Sequence, residues 1–136
     1  MVAAKTSGNQ AVSGMNKEQR LRSSRDFAVV RRDGRSRADR LLVLVSRPNN
    51  LDVTRLGFIV SKRVGNAVVR NRVRRRLKEA ARLSQIEYGW DLVFIARQGA
   101  SSADYKELSG SVKKLLTRAN VLDGSSGTHG KGAEVR

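Results

Sequence analysis

Nine lysines and arginines fall between Ser61 and Arg82, in the run SKRVGNAVVRNRVRRRLKEAAR, against one acid, Glu79. Permanently cationic side chains this closely spaced repel one another unless anions sit between them, so the chemistry they offer is phosphate binding. The chain carries a formal net charge of +16, and half of it resides in this segment. An apolar stripe runs through the same residues. At about 100° per residue, Val69, Val73, Leu77, Ala80 and Ala81 share one side of an α-helix, while Asn71, Arg75, Lys78 and Arg82 point away. Arg70 and Arg74 border one edge of the stripe, and Arg72 and Arg76 border the other. A merely solvated helix would interleave acids with bases for support at i, i+4, and this one does not. Its first turn has no acid to complement the positive end of the dipole, and a helix start flanked by guanidinium groups is a phosphate site.

A second basic group occupies residues 20–40, where eight arginines face only Asp26, Asp33 and Asp39. Arg31, Arg32, Arg35 and Arg37 crowd the end of a short helix. Phe27 in that helix reads as core and, if partly exposed, as a platform on which an unpaired base stacks. Trp90, beside a strand start, reads as packed. No catalytic constellation accompanies these groups, because the acids are scattered singly and neither a Ser/His/Asp set nor a phosphate-binding glycine loop occurs. The absence of cysteine excludes thiolate metal sites, disulfides and Cys nucleophiles, and the single His129 has no companion ligands. An isoelectric point near 11.6 points to a nucleic-acid partner. No run approaches the roughly 20 apolar residues of a membrane-spanning helix, and the first residues lack a secretory apolar core. The expectation is a soluble, cytoplasmic protein without a membrane partner.

The elements that must position these residues follow from caps and periodicity. Ser23 with Asp26 starts a helix over about 24–32, and Gly34 stops it. Leu41–Ser46 and Arg55–Val60 read as strands separated by turn residues, and they are expected to pair as an antiparallel hairpin. Asn66 caps the basic helix, which runs to about Ser84. Gly89 breaks the chain before a strand at Asp91–Ala96, and Ser101 with Asp104 opens a last helix carrying Tyr105, Leu108, Val112, Leu115, Leu116 and Ala119 at helical spacing. The expected order is α-β-β-α-β-α, and helices that must cover one small sheet make a single-domain α+β sandwich. Residues 1–19 read as a disordered extension, 20–122 as the domain, and 123–136 as a disordered Gly/Ser-rich tail.

The stretch Gly57–Arg76, GFIVSKRVGNAVVRNRVRRR, resembles the protein subunits of bacterial ribonuclease P, with a strand ending in V-S-K, a G-N-A-V turn and the Arg70-Asn71-Arg72 helix. Upstream, Arg20, Leu21, Asp26 and Phe27 match an R-L-x-x-x-x-D-F start, and downstream Ile95-Ala96-Arg97 matches a strand end, so the likeness spans about residues 20–120. The resemblance implies a ribosomal-protein-like α/β sandwich with a left-handed βαβ crossover. It implies a holoenzyme in which a catalytic RNA removes the 5′ leader of precursor tRNA, with Mg2+ held mainly by RNA and none bound by the protein alone. The isolated protein is then inactive, and its partners are the ribonuclease P RNA and precursor tRNA, with no small-molecule substrate. By the same resemblance Lys62, Arg63, Asn66, Arg70, Asn71, Arg72, Arg74, Arg75 and Lys78 face RNA, and Phe27 lines a leader cleft. Arg31 stands where the family often has a second aromatic, and the Leu41–Val45 run is aliphatic where a Tyr is common. Arg31 is accordingly assigned to the leader by charge.

Two other classes compete. One is a non-enzymatic ribosomal or chaperone-like RNA binder on the same kind of fold, and the other a helix-turn-helix DNA binder. A groove-reading helix presents Asn, Gln or Ser beside Arg, whereas this face offers only Asn71, which favours backbone contact.

Overall fold

The computed structural model describes residues 20–21 and 23–122. The extension expected at 1–19 and the tail expected at 123–136, with His129, lie outside the described residues. Helix α1 (Ser24–Asp33) starts where the Ser23 hydroxyl accepts the Asp26 N–H at 3.1 Å, and it ends at Gly34, whose N–H returns to the Val30 carbonyl. Strands β1 (Arg35–Ala38), β2 (Leu42–Pro48), β3 (Arg55–Ile59) and β4 (Trp90–Ala96) form a sheet in the order β1-β2-β4-β3. The basic helix α2 (Ala67–Arg82) connects β3 to β4, and α3 (Tyr105–Ala119) follows a short 3-10 helix at Gln98–Ser102.

This order corrects two sequence expectations. The 41–46 and 55–60 runs do not form a hairpin, because β4 lies between them, antiparallel to β2 and parallel to β3. The physical reason is burial on both faces: Asp91, Leu92, Val93 and Phe94 are all buried, and such a strand belongs in the middle of a sheet. Asp91 reports the same placement. Arg55 from β3 donates to its two carboxylate oxygens at 2.8 and 2.7 Å, and Arg47 from β2 approaches at 3.6 Å. One carboxylate reaches a guanidinium on each neighbouring strand only when its own strand runs between them. The second correction is β1 itself. Its sequence, Arg-Ser-Arg-Ala, has no apolar alternation to announce a strand, and it pairs with β2 along the sheet edge. The observed order is therefore α-β-β-β-α-β-α.

Helices cover both faces of the sheet. Leu42, Leu44, Leu56, Leu92 and Phe94 pack with Val73 and Leu77 of α2 and with Leu108, Leu115 and Leu116 of α3. On the other face Val45 and Val93 meet Val30 of α1 and Leu21, with Phe27, Val43, Ile59 and Ile95 half-buried around them. Each fully buried side chain of this size contributes roughly 1.5–3 kcal/mol. Trp90 is half-buried against the first cluster. The last helix opens at Asp104, not at Ser101, which belongs to the 3-10 turn. Asp104 and Glu107 form a reciprocal capping box, at 2.8 and 3.0 Å.

Asp39, in the turn from β1 to β2, joins that turn to α3. Its Oδ1 accepts the Leu41 and Leu42 N–H groups at 2.9 and 3.0 Å, while Oδ2 accepts the Ser111 hydroxyl at 2.5 Å. Burial pushes its pKa up, but the Ser111 hydroxyl, the Leu42 and Leu41 amides and the Lys114 charge together outweigh burial, and the carboxyl titrates below its ordinary value. A carboxyl with a lower pKa in the folded than in the unfolded chain stabilises the fold above its unfolded value. That contribution disappears as pH falls through the folded one. Asp39→Asn is therefore expected to cost about 1–3 kcal/mol at pH 7. The gap to the parent should narrow below about pH 4 in urea titrations run across a pH series. A gap that stays constant into acid would show that the carboxylate charge is not the source of the stabilisation.

Candidate nucleic-acid interface

Helix α2 is built as its pattern predicts. Val73, Leu77, Ala80 and Ala81 are buried, and Val69 is half-buried against the same core. The Asn66 Oδ1 accepts the Val69 N–H at 3.0 Å, so one of the donors that an anion would find at a bare helix start is already satisfied. Glu79 is engaged by Arg82, whose Nε donates to it at 3.0 Å. The hydrogen bond from Arg82 holds this exposed carboxyl below its ordinary pKa, so it remains an anion paired within the helix.

The two edges of the apolar stripe differ. On one, Arg76 Nη1 donates to the Ala103 carbonyl at 2.8 Å and Arg72 Nη2 reaches the Ser101 carbonyl at 3.5 Å. These arginines are turned towards the segment that leads into α3, and the Arg72 Nε is buried without a hydrogen-bond partner. On the other edge Arg70 Nε donates to the Gly65 carbonyl at 3.1 Å and Arg74 Nη1 to Asn71 Oδ1 at 3.0 Å. Arg75, Lys78 and Asn71 are exposed on the helix, and Lys62 and Arg63 are exposed in the turn before it. The cationic face offered to a ligand is thus narrower than the count of arginines suggests.

Beside that second edge lies an open cleft of about 160 Å³, lined by Arg20, Leu21, Phe27, Leu56, Gly57, Phe58, Arg74 and Lys78. It sits over β3, an edge strand, between α1 on one face of the sheet and α2 on the other. Phe27 reaches it because residue 57 has no side chain. A Cβ there would lie 2.5 Å from Cε1 of Phe27 and 3.2 Å from Cδ1 of Leu21. Phe58 is held from behind by Phe94, the rings nearly parallel at 9° with centroids 5.8 Å apart. The structure therefore brings together three of the residues expected at the site, Phe27, Arg74 and Lys78. It does not bring Arg31 there. Arg31 is exposed at the end of α1 and is not among the residues lining the cleft, and its neighbour Arg32 pairs with Asp33 at 2.9 Å. Phe58 and Arg20 are lining residues that the sequence reading did not assign. Alternation along Arg55–Ile59 puts Phe58 on the α2 side, but only the strand order shows that this side borders an open edge.

A cleft with two aromatic rings and three cations has the chemistry to suit a polyanion whose apolar faces are unstacked, and the fold and charge together define the class of small basic α+β proteins. Comparison with known proteins narrows the class. The family model for ribonuclease P matches residues 15–120, and the chain belongs to that family. It is 47% identical over 114 residues to the ribonuclease P protein component of Roseiflexus castenholzii, covering 82% of this chain and 93% of that one. Among solved structures, a Staphylococcus aureus RNase P protein mutant with defective mRNA degradation activity superposes with a TM-score of 0.75 at 34% identity, over 81% of this chain and 95% of that one. The RNase P protein from Thermotoga maritima gives 0.67 at 32% identity, over 73% and 96% of the two chains.

The unequal edges of α2 separate folding from binding. Arg76→Met should lower stability by about 1.5–3 kcal/mol, the worth of a charged hydrogen bond, and leave the salt dependence of RNA binding unchanged. Arg75→Met should leave stability within about 0.5 kcal/mol and reduce the slope of log K against log salt by roughly 0.7–0.9. Chemical denaturation paired with a salt series of ribonuclease P RNA affinities distinguishes the two, and the opposite pattern would invert the assignment of the edges.

Proposed function

We propose that the chain works as the protein subunit of the ribonuclease P ribonucleoprotein, binding the catalytic RNA and the 5′ leader of precursor tRNA while the leader is removed endonucleolytically. The observation that carries this reading is the cleft in which Phe27 and Phe58 lie beside Arg20, Arg74 and Lys78. An extended single strand would stack bases on the rings and place phosphates near the cations. Arg75, Asn71, Lys62 and Arg63, exposed at and before the outer face of α2, would take the catalytic RNA, with Asn66 and Arg70 at the helix start. Leader and catalytic RNA are both polyanions, and a cationic helix between them lowers their mutual repulsion.

Catalysis is assigned to the RNA subunit, and Mg2+, the metal the resemblance implies, supplies the hydrolytic chemistry there. Among the described residues no three of His, Cys, Asp or Glu come together, so the side chains do not fit a metal cage. The chain's own contribution is charge and position. No described helix is long and apolar enough to cross a membrane, and a cytoplasmic setting with tRNA precursors is the natural one. The proposal also takes the β3–α2–β4 unit as a left-handed crossover. The parallel pairing of β3 and β4 requires a crossover, and the left hand rests on the family likeness alone.

Reconstitution with the cognate RNA tests the reading. RNA-free protein should leave precursor tRNA intact in magnesium buffer, and the reconstituted particle should release the leader. Phe27→Ala and Phe58→Leu should each reduce the preference for precursor over mature tRNA, by about 1–3 kcal/mol per lost stacked base, while mature tRNA binds nearly as before. Equal losses on both ligands would remove the leader from this cleft, and cleavage by protein free of RNA would overturn the division of labour.

A further inference from the structure

A second row of cations runs along the seam between β1 and α3, at the opposite edge of the sheet from the cleft. Arg37 Nε donates to the Arg118 carbonyl at 2.8 Å, and Arg118 Nη1 lies 3.4 Å from the Ala38 carbonyl. Further along the seam, Lys114 stands 3.7 Å from Asp39 and Arg97 Nη1 donates to the Asp39 carbonyl at 3.1 Å. Arg35 and Arg40 complete the row. Both residues are exposed, and their guanidinium groups make no hydrogen bond or ion pair among the described residues.

The described acids near this row are already engaged. Asp39 is 11% exposed, with its oxygens taken by two amides, a hydroxyl and Lys114. Glu107 is held in the capping box of α3, and Asp33 pairs with Arg32. Lys114 and Arg118 form a like-charged i, i+4 pair, an arrangement that destabilises an isolated helix. Arg35, Arg40, Arg97 and Arg118 have no carboxylate partner among the described residues, so with Arg37 and Lys114 beside them the seam along the four residues of β1 carries an excess of positive charge. The lining is polar and cationic, without an aromatic platform, so it suits a phosphate backbone and not splayed bases.

We propose that the β1–α3 seam is a second phosphate-binding surface, which holds the backbone of an RNA segment distinct from the one at α2 and the cleft. The proposal rests on the function proposed above only in taking the catalytic RNA as ligand. Three inter-strand steps separate β1 from β3, about 14 Å, which exceeds the screening length of about 8 Å at physiological salt. The two surfaces therefore act as separate electrostatic sites, and a protein holding RNA on both would fix the distance between two segments.

The chain has no cysteine, so an iron chelate can be tethered at a single introduced one. Thr117→Cys places it on the exposed side of α3 near the seam, and Val68→Cys places it at the exposed start of α2. In the reconstituted particle the two tethers should cleave different segments of the catalytic RNA. The Arg35→Gln/Arg40→Gln double variant should reduce the salt slope of RNA binding by about 1.4–1.8, twice the single-phosphate value, with the precursor preference unchanged. Cleavage from Val68→Cys alone, with an unchanged slope in the double variant, would overturn the second surface and leave the proposed function standing. Cleavage of one shared segment from both tethers would overturn the two-segment arrangement. Cleavage from neither would overturn both readings.

Discussion

One buried carboxylate specifies the order of the sheet. Asp91 is 1% exposed and meets Arg55 on β3, Arg47 on β2 and the Asn49 amide, the last at 2.8 Å. A buried ion pair contributes little net stability, because desolvation offsets most of the attraction, yet separating its members leaves an uncompensated charge that costs several kcal/mol. The apolar residues of β4 are interchangeable enough that a slip of two residues would keep them inside. The carboxylate tolerates no such slip. With β4 held between β2 and β3, the β3–α2–β4 connection must return in parallel, and α2 comes to lie beside the edge strand. The cleft exists because of that placement.

The charge of α2 is handled in two ways. Along one edge Arg72 and Arg76 lean on backbone carbonyls of the segment entering α3, and at the end Arg82 is neutralised by Glu79. These contacts let a helix with one acid remain folded without its ligand. What they leave uncompensated is the other edge and the outer face, around Arg74, Arg75 and Lys78. Cations committed to carbonyls hold the fold, and cations left in solvent define where a polyanion gains most by binding.

The basic helix was legible from sequence in extent, cap and buried face, since a strong 3.6-residue period with Asn66 ahead of it leaves little freedom. The cap at Ser23 was legible for the same reason, being a local arrangement of side chain and backbone, whereas the start of the last helix was placed one turn early at Ser101, because Ser101/Asp104 and Asp104/Glu107 have the same capping spacing and only the second pair forms the box. Strand order was not. Pairing between β3 and β4 joins residues far apart in the chain, and nothing within Arg55–Ile59 records which neighbour it will have. The exposed β1 was missed because an edge strand without apolar alternation has no period to detect. Phe58 escaped notice as a cleft residue because its surroundings depend on strand order, and Arg72 and Arg76 looked like surface cations because their carbonyl partners lie on a segment about 27–29 residues away.

Phe27 shows why core and site readings need not compete. Its ring packs against the bare Cα of Gly57, which makes it part of the α1 face, and it still borders the cleft, which makes it available to a ligand. Held in this way, the ring loses little further freedom when a base stacks on it, so the cost of binding is reduced. The outer edge of β3 is meanwhile occupied at its start, where the Leu21 N–H donates to the Leu56 carbonyl at 3.0 Å. A ligand entering there cannot add to the sheet by backbone pairing at that position. It must be held by ring faces and by charge, and both tolerate any base. On the proposed function such a cleft would suit leaders of varied sequence, discriminating by their length and single-stranded character.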